Sequence, residues 1–302
     1  MSIAARTARE VTTKTIATGR SKDRNPKSLI FLGALWFALF FGVMVLVVLI
    51  VTTLIDGAAR FDGNLLTAYE SVLRPEETGF RAGILGSIWL MITTALLAIP
   101  LGIAAAIYLE EFADNTKWYN RFIEVNIQNL AAVPSIVYGL LAVATLAVIG
   151  FSDTGVVIGG AVALALLILP VIIITTREAV RAVPREIRDG SLALGATVWQ
   201  TTWKQTLPSA VPGIATGTIL GLSRAIGEAA PLLVIGLATV RFDPDGLLSR
   251  VTALPIEIFT LSFNSQEEYR QAASAAIIVL LVLVLGLNGL AIFIRNKFQR
   301  SW

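Results

Sequence analysis

The sequence predicts an all-α integral membrane protein of six helical spans, with both termini on the inner side. Three observations predict it. Of 302 residues, 55% are hydrophobic and 15% charged, with a mean hydropathy of +0.75; a soluble domain carries about a quarter charged residues. Six apolar runs are long enough for helices that cross a bilayer. Lys and Arg are distributed unequally between the segments joining them.

Residues 1–28 form a polar, basic tail, with seven Lys or Arg against Glu10 and Asp23. It has few apolar residues to bury, so it is expected to be partly disordered. The membrane domain is set at 29–302. The first span, 29–55, gives about 40 Å of helix, enough to cross with tilt. The second covers 82–108, with Pro100 and Gly102 placed to kink it. A short polar link follows at 110–121. Spans three and four, 125–150 and 155–176, are separated only by Phe-Ser-Asp-Thr-Gly. A long polar segment, 177–207, precedes span five at 209–236. A mixed-charge loop, 237–270, contains the apolar stretch LPIEIFTLSF, expected to pack on the bundle or lie at the membrane surface. Span six, 271–294, ends in RNKFQR. With the N-terminus inside, the inner segments hold 17 Lys and Arg and the outer loops 6. Arg224 remains, inside a span.

Composition excludes several chemistries. The chain has no cysteine and no histidine. It therefore offers no disulfide or thiolate, and it lacks the commonest metal ligand and general base. A hydrolytic or redox enzyme fits poorly. No short apolar core is followed by a small-residue cleavage site, so no cleaved signal peptide is expected.

Three stretches carry chemistry. Segment 184–208 reads as two short helices. Pro184 suits a first turn, Gly195 a helix end, and Ala196-Thr197 a new start. Trp199 and Trp203, four apart, share a face; they form either an interfacial belt or a docking surface. In span five, Arg224 and Glu228 stand at i, i+4. A charge at the centre of a membrane helix costs about 3 kcal/mol, so the pair is either a structural ion pair or part of a translocation path. An arginine there matches a tetrahedral oxyanion with paired donors. In span three, Asn129, Pro134, Ser135 and Tyr138 set polar groups and a kink in an apolar run, as helix-packing contacts or as solute contacts.

These stretches resemble a known family. ATP-binding-cassette importer permeases carry a cytoplasmic loop of the form E-A-A-x-x-x-G followed by I-x-L-P. Here Asp189-Gly190-Ser191-Leu192-Ala193-Leu194-Gly195 and then Leu207-Pro208 stand in its place, with Asp, Gly and Ser departing from Glu, Ala and Ala. The stretches NLAAVPSIVYGL, IPLGIAAAIYLEEFA and LSRAIGEAAPLLVIG resemble the phosphate-specific, Pst-type importer permeases, nearer the PstA-type subunit than the PstC-type. The resemblance implies a type-I importer permease fold in a bacterial inner membrane. It implies that Asp189, Gly190, Ser191, Gly195, Leu207 and Pro208 couple to a separate ATPase dimer, PstB-like, which binds ATP and Mg. It implies a second permease, PstC-like, and a phosphate-binding protein, PstS-like. Arg224 takes the position that the family ties to phosphate passage, and Glu228, Ser135, Tyr138 and Asn129 are expected to line the same path. Arg177 also sits where the family carries an arginine. The chain has no G-x-x-x-x-G-K-[ST] phosphate cradle, so ATP hydrolysis is not expected of it. A permease for sulfate or molybdate is the nearest alternative. An ion-coupled secondary transporter, with Glu228 as proton site, is another.

Overall fold

The computed structural model describes residues 26–114 and 116–298. The expectation for the basic tail falls on residues 1–25 and lies outside them; Pro26 already opens the first helix. Most of the described residues are helical. They contain no strand, only an isolated bridge between Val156 and Arg250. The chain divides at Thr52–Thr53 into two units. The first is carried by helix α1, Pro26–Gly57, apolar on every face.

The second unit holds the remaining elements. A short helix α2, Asn64–Thr67, precedes α3, Arg81–Ile107, which runs through Pro100 and ends in a π turn, Tyr108–Phe112. Then come α4, Trp118–Leu130, and α5, Ser135–Ile149. Helix α6, Val157–Arg181, is the centre of the bundle. Two short helices follow, α7, Arg185–Ala193, and α8, Val198–Thr201. Helix α8 passes through a π turn, Thr202–Thr206, into α9, Leu207–Ile226. Helices α10, Ala230–Val234, α11, Leu254–Ser262, and α12, Glu267–Phe298, complete the chain.

Helix α6 is central because its neighbours offer it glycines. A Cβ on Gly102 of α3 would stand 2.6 Å from Ile172, and one on Gly217 of α9 would stand 2.1 Å from Thr175. Small residues let helix backbones approach where lipid supplies no hydrophobic drive. The core around α6 includes Leu90, Ala98, Tyr138, Leu164, Leu167, Ile168, Leu232 and Ile235. A second cluster, Leu65, Phe80, Leu254, Leu261, Tyr269 and Ala272, closes the end expected to face outward. There LPIEIF forms α11, with Leu254 to Glu257 all buried, so the stretch packs on the bundle.

The expected spans need correction. Four helices among the described residues are long and apolar enough to cross a membrane, or five if a bent pair counts as one. That pair is α4 and α5, bent by 116°. The expected span 125–150 is therefore not one helix. Pro134 has no N–H and disfavours helix in the residue before it. Helix α4 is amphipathic, with Asn120, Arg121, Glu124, Asn126 and Gln128, and the apolar part, α5, is only about 22 Å long. The expected span 209–236 breaks at Gly227, between α9 and α10.

One acid is buried without compensation. Glu257 of α11 is 0% exposed and sits over Gly83, in the first turn of α3. The Gly83 N–H points toward it too loosely for a hydrogen bond, and neither carboxyl oxygen has a partner. Burial, and then the charge of Glu70, holds this carboxyl well above the ordinary value near 4.5. Burial also raises Glu70, against the pull of Thr239 and Arg241. A raised acid keeps its proton when folded at a pH where the unfolded chain has lost it. Its contribution is then most favourable below about 4.5 and declines as pH rises from there through the folded value. The detergent-purified protein should accordingly lose thermal stability as pH is raised from 5 to 8. Glu257→Gln, which keeps the shape and removes the charge, should flatten that dependence in a melting series.

Candidate functional site

The charged pair of span five lies at a helix break. Helix α9 stops at Ile226, and Gly227 and Glu228 donate back to the carbonyls of Arg224 and Ala225. Arg224 is thus in the last turn of α9, where a cation is favoured by the helix dipole. Glu228 lies beyond the end. The two do not share a continuous helix face, as the i, i+4 spacing implied. They still meet, with Arg224 Nε 3.5 Å from Glu228 Oε1 and side chains 41% and 24% exposed. This is a long, half-open contact. Both groups keep most of their hydrogen-bonding capacity for something else.

Tyr138 is brought to the same place. A Cβ on Gly139 of α5 would stand 2.7 Å from Pro231 O, so α5 backs directly onto α10. The charge of Arg224 consequently reaches the Tyr138 phenol. Tyr138 is buried, and its hydroxyl donates to Leu130 O at 2.5 Å, closing the bend between α4 and α5. Ser135 opens α5 and is half-buried. Asn129 is exposed near the end of α4, on a different helix from Ser135 and Tyr138. The structure pairs Arg224 with Glu228 and sets Tyr138 within reach of the Arg224 charge, while Asn129 lies next to Leu130, whose carbonyl Tyr138 binds.

At the other end, α7 and α8 form a concave surface. Gly195 takes φ +84, the left-handed conformation that ends a helix, and Thr197 opens the next. Thr197 accepts from Gln200 N at 3.2 Å while the Gln200 side chain accepts from Thr197 N at 3.0 Å. This reciprocal cap explains why a helix begins there. Asp189 and Gly190 are exposed, and Leu194 is 91% exposed. Ser191 Oγ meets Thr201 Oγ1 at 2.9 Å, holding α7 to α8. Leu207 and Pro208 form the first turn of α9. Trp199 packs in tilted contacts between Phe112, at 5.9 Å, and Trp203, at 5.4 Å. These tryptophans therefore line a groove against the end of α3.

A charge network, largely buried at Arg177, Glu110, Arg188 and Glu111 and open at Arg181, fixes this surface to the bundle, and the sequence reading missed it. Arg188 of α7 pairs with Glu111 at 2.9 Å and donates to Val180 O at 2.7 Å and Val183 O at 2.9 Å. Arg177, buried, pairs with Glu110 at 3.3 Å and Glu124 at 3.0 Å; Arg181 pairs with Glu110 at 2.9 Å. Burial pushes the Glu110 carboxyl up, but Arg181 and Arg177 outweigh it and hold the group below its ordinary value. The network joins α3, α4, α6 and α7. Its sequence signal was two adjacent acids closing an apolar run, Glu110-Glu111. Arg177, at a position where the resembling family carries an arginine, is one of its members. No group of acids, histidines or cysteines among the described residues could hold a metal.

Comparison with known proteins places this arrangement. A family profile described as "Binding-protein-dependent transport system inner membrane component" matches residues 98–300. A probable ABC transporter permease of Bacillus subtilis, YqgI, is 37% identical over 63% of this chain and 64% of its own length, just under two thirds of that relative. The phosphate transport system permease protein PstA of Yersinia pestis is 33% identical over 91% of this chain and 92% of its own. A chain of the solved bacterial alginate ABC transporter, in complex with a periplasmic protein bound to alginate pentasaccharide, matches 95% of this chain and 99% of its own. Its TM-score is 0.62 at 14% identity, a likeness of fold.

The Arg188–Glu111 pair is buried enough for its loss to be felt. Removing one partner leaves an uncompensated charge, at a cost of about 3 kcal/mol. Glu111→Gln and Arg188→Met should each lower the melting temperature of the purified protein. The double variant Arg188→Met/Glu111→Met should recover at least part of that loss. Melting unchanged by either single variant would show the pair to be solvated.

Proposed function

The chain belongs to the family of binding-protein-dependent transport system inner membrane components, and from that premise we propose that it imports inorganic phosphate as one permease subunit of an ATP-driven transporter. Its fold is that of a type-I ABC importer permease. It is a transport component and not an enzyme. The observation that carries the substrate reading is the Arg224–Glu228 pair. An exposed arginine stands at the broken end of an otherwise apolar helix, loosely held by its glutamate. A tetrahedral oxyanion offers that guanidinium two oxygens in fork geometry. The name and coverage of the Yersinia pestis relative support phosphate as that oxyanion.

The path is formed by Arg224, Glu228 and Tyr138, with Ser135 at the start of α5 and Asn129 at the bend. Glu228 holds the guanidinium when no anion is present and releases it when one arrives. A PstC-like second permease supplies the other half of the path. A PstS-like phosphate-binding protein delivers the anion at the outer face. The excess of Lys and Arg in the segments expected inside supports an inner side for both ends of the chain. A PstB-like ATPase dimer, which binds ATP and Mg, seats on the concave surface of α7 and α8 through Asp189, Gly190, Ser191 and Gly195, with Leu207 and Pro208 passing the movement into α9. The charge network from Arg188 to Glu111 and from Arg177 to Glu110 makes α7 move with the ends of α3 and α6. Two arrangements of the bundle, biased by the ATPase, alternate the opening of the path.

Labelled phosphate uptake in proteoliposomes holding the whole complex tests this. Uptake should require ATP and resist competition by sulfate. A charge-assisted hydrogen bond is worth about 1.5–3 kcal/mol, so Arg224→Gln should lower uptake by about tenfold or more with the complex still assembled. Uptake of sulfate or molybdate in place of phosphate would keep the fold and replace the substrate. Uptake driven by an ion gradient without ATP would sink the reading.

A further inference from the structure

Helix α9, which carries Arg224, is held on two sides, and close packing acts on only one of them. On the first side, Gly213 and Gly217 face Ala179 and Thr175 of α6. The row ends at Gly221 against Ile172, before the last turn. On the second side, α9 faces α12 across a cavity of about 260 Å³ whose lining is almost wholly apolar, including Met91, Leu222, Ile226, Val284 and Leu287. The space is half open, so α9 and α12 make few direct contacts across it. Beyond Ile226 the helix stops. In the last turn Ala225 and Ile226 are buried in the core, while the side turned to α12 is left to polar contacts.

A polar rung crosses that gap. The Ser223 hydroxyl contacts the side-chain amide of Asn288 on α12 and lies 2.6 Å from Ile219 O. A hydroxyl has one proton and here faces two acceptors. Turning the Asn288 amide by half a turn sets its NH2 on Ser223 Oγ and gives every group a donor. Ser223 and Asn288 are the two polar residues of the cavity lining. A second rung stands in the same register, where Arg295 Nη1 donates to Thr216 Oγ1 at 2.9 Å. Thr216 and Ser223 are seven residues apart on α9, and Asn288 and Arg295 are seven apart on α12. One antiparallel alignment of the two helices therefore makes both rungs.

Resting on the reading of Arg224 given above, we propose that Asn288 is a positioning residue for Arg224, fixing through Ser223 the rotation of the last turn of α9. Ser223 and Arg224 are consecutive, so holding one sets the direction in which the other leaves the helix. Asn288 itself does not meet the anion. Its intramembrane amide has no lipid-facing use, and an unpaired amide in that setting is costly. The rung satisfies it and aims the arginine.

The test uses the assembled complex in proteoliposomes and reads the KM and maximal rate of phosphate uptake separately. Loss of one such hydrogen bond should raise KM about fivefold in Asn288→Leu and in Ser223→Ala, and the double variant should be no worse than either. In an Arg224→Lys background, Asn288→Leu should add little, because the group it aims has been replaced. Equal losses in both backgrounds, or a wild-type KM in Asn288→Leu, overturn the inference. Arg224→Gln separates the two layers: normal uptake by that variant overturns the reading of Arg224 itself, and the inference falls with it. The chain has no cysteine, so Ser223→Cys/Asn288→Cys gives an unambiguous cross-link should Asn288→Leu fail to assemble. Uptake retained under cross-linking supports a fixed rung, whereas uptake abolished by the cross-link and restored by reductant overturns it.

Discussion

The close approach of α3 and α9 to α6 is the constraint on which the rest of this structure depends. Lipid tails are as apolar as leucine, so helices in a membrane gain little by leaving them. What they gain is contact, and contact requires complementary surfaces. Gly102 against Ile172 and Gly217 against Thr175 supply it. A methyl group at either position would push the backbones apart. With α3 and α9 fixed to α6, the far ends of all three helices are placed, and both candidate regions are built at those ends.

The candidate path sits where regular structure stops. Gly227 ends α9, Pro134 forces the bend before α5, and Gly139 lets α5 reach Pro231. Irregular backbone inside a membrane protein is tolerated where it is covered by protein or lines a wet cavity. Here the breaks bring Arg224, Glu228 and Tyr138 to one level. The Arg224–Glu228 contact is long and half-exposed, unlike the closer and largely buried Arg188–Glu111 and Arg177–Glu110 pairs at the other end. That contrast separates a charge held ready from charges that are spent.

The spent charges serve mechanics. Arg188, Arg177 and Arg181 meet Glu110, Glu111 and Glu124 at the junction of four helices. Arg188 also takes the carbonyls of Val180, in the last turn of α6, and of Val183, just beyond its end. A helix end so tied cannot shift without carrying α7 with it. Rigid coupling between a docking surface and a bundle needs connections of this kind, because a bare loop would absorb the movement.

The sequence by itself determined what depends on neighbours along the chain. Composition set the membrane class, and apolar run length placed most of the long helices. Gly195 and Thr197 marked the boundary between α7 and α8 because left-handed backbone and capping are local events. Arg224 and Glu228 stood out because a charge in an apolar run is itself a local anomaly. Tertiary structure alone decided the rest. Runs 125–150 and 209–236 looked continuous by hydropathy, which measures solubility in lipid and is blind to a turn that keeps apolar residues on both sides. The pairs Arg177–Glu110 and Arg188–Glu111 join residues 67 and 77 apart, and Glu257 meets Gly83 across most of the chain. No periodicity encodes such meetings. They follow from where the glycine contacts on α6 leave the helix ends.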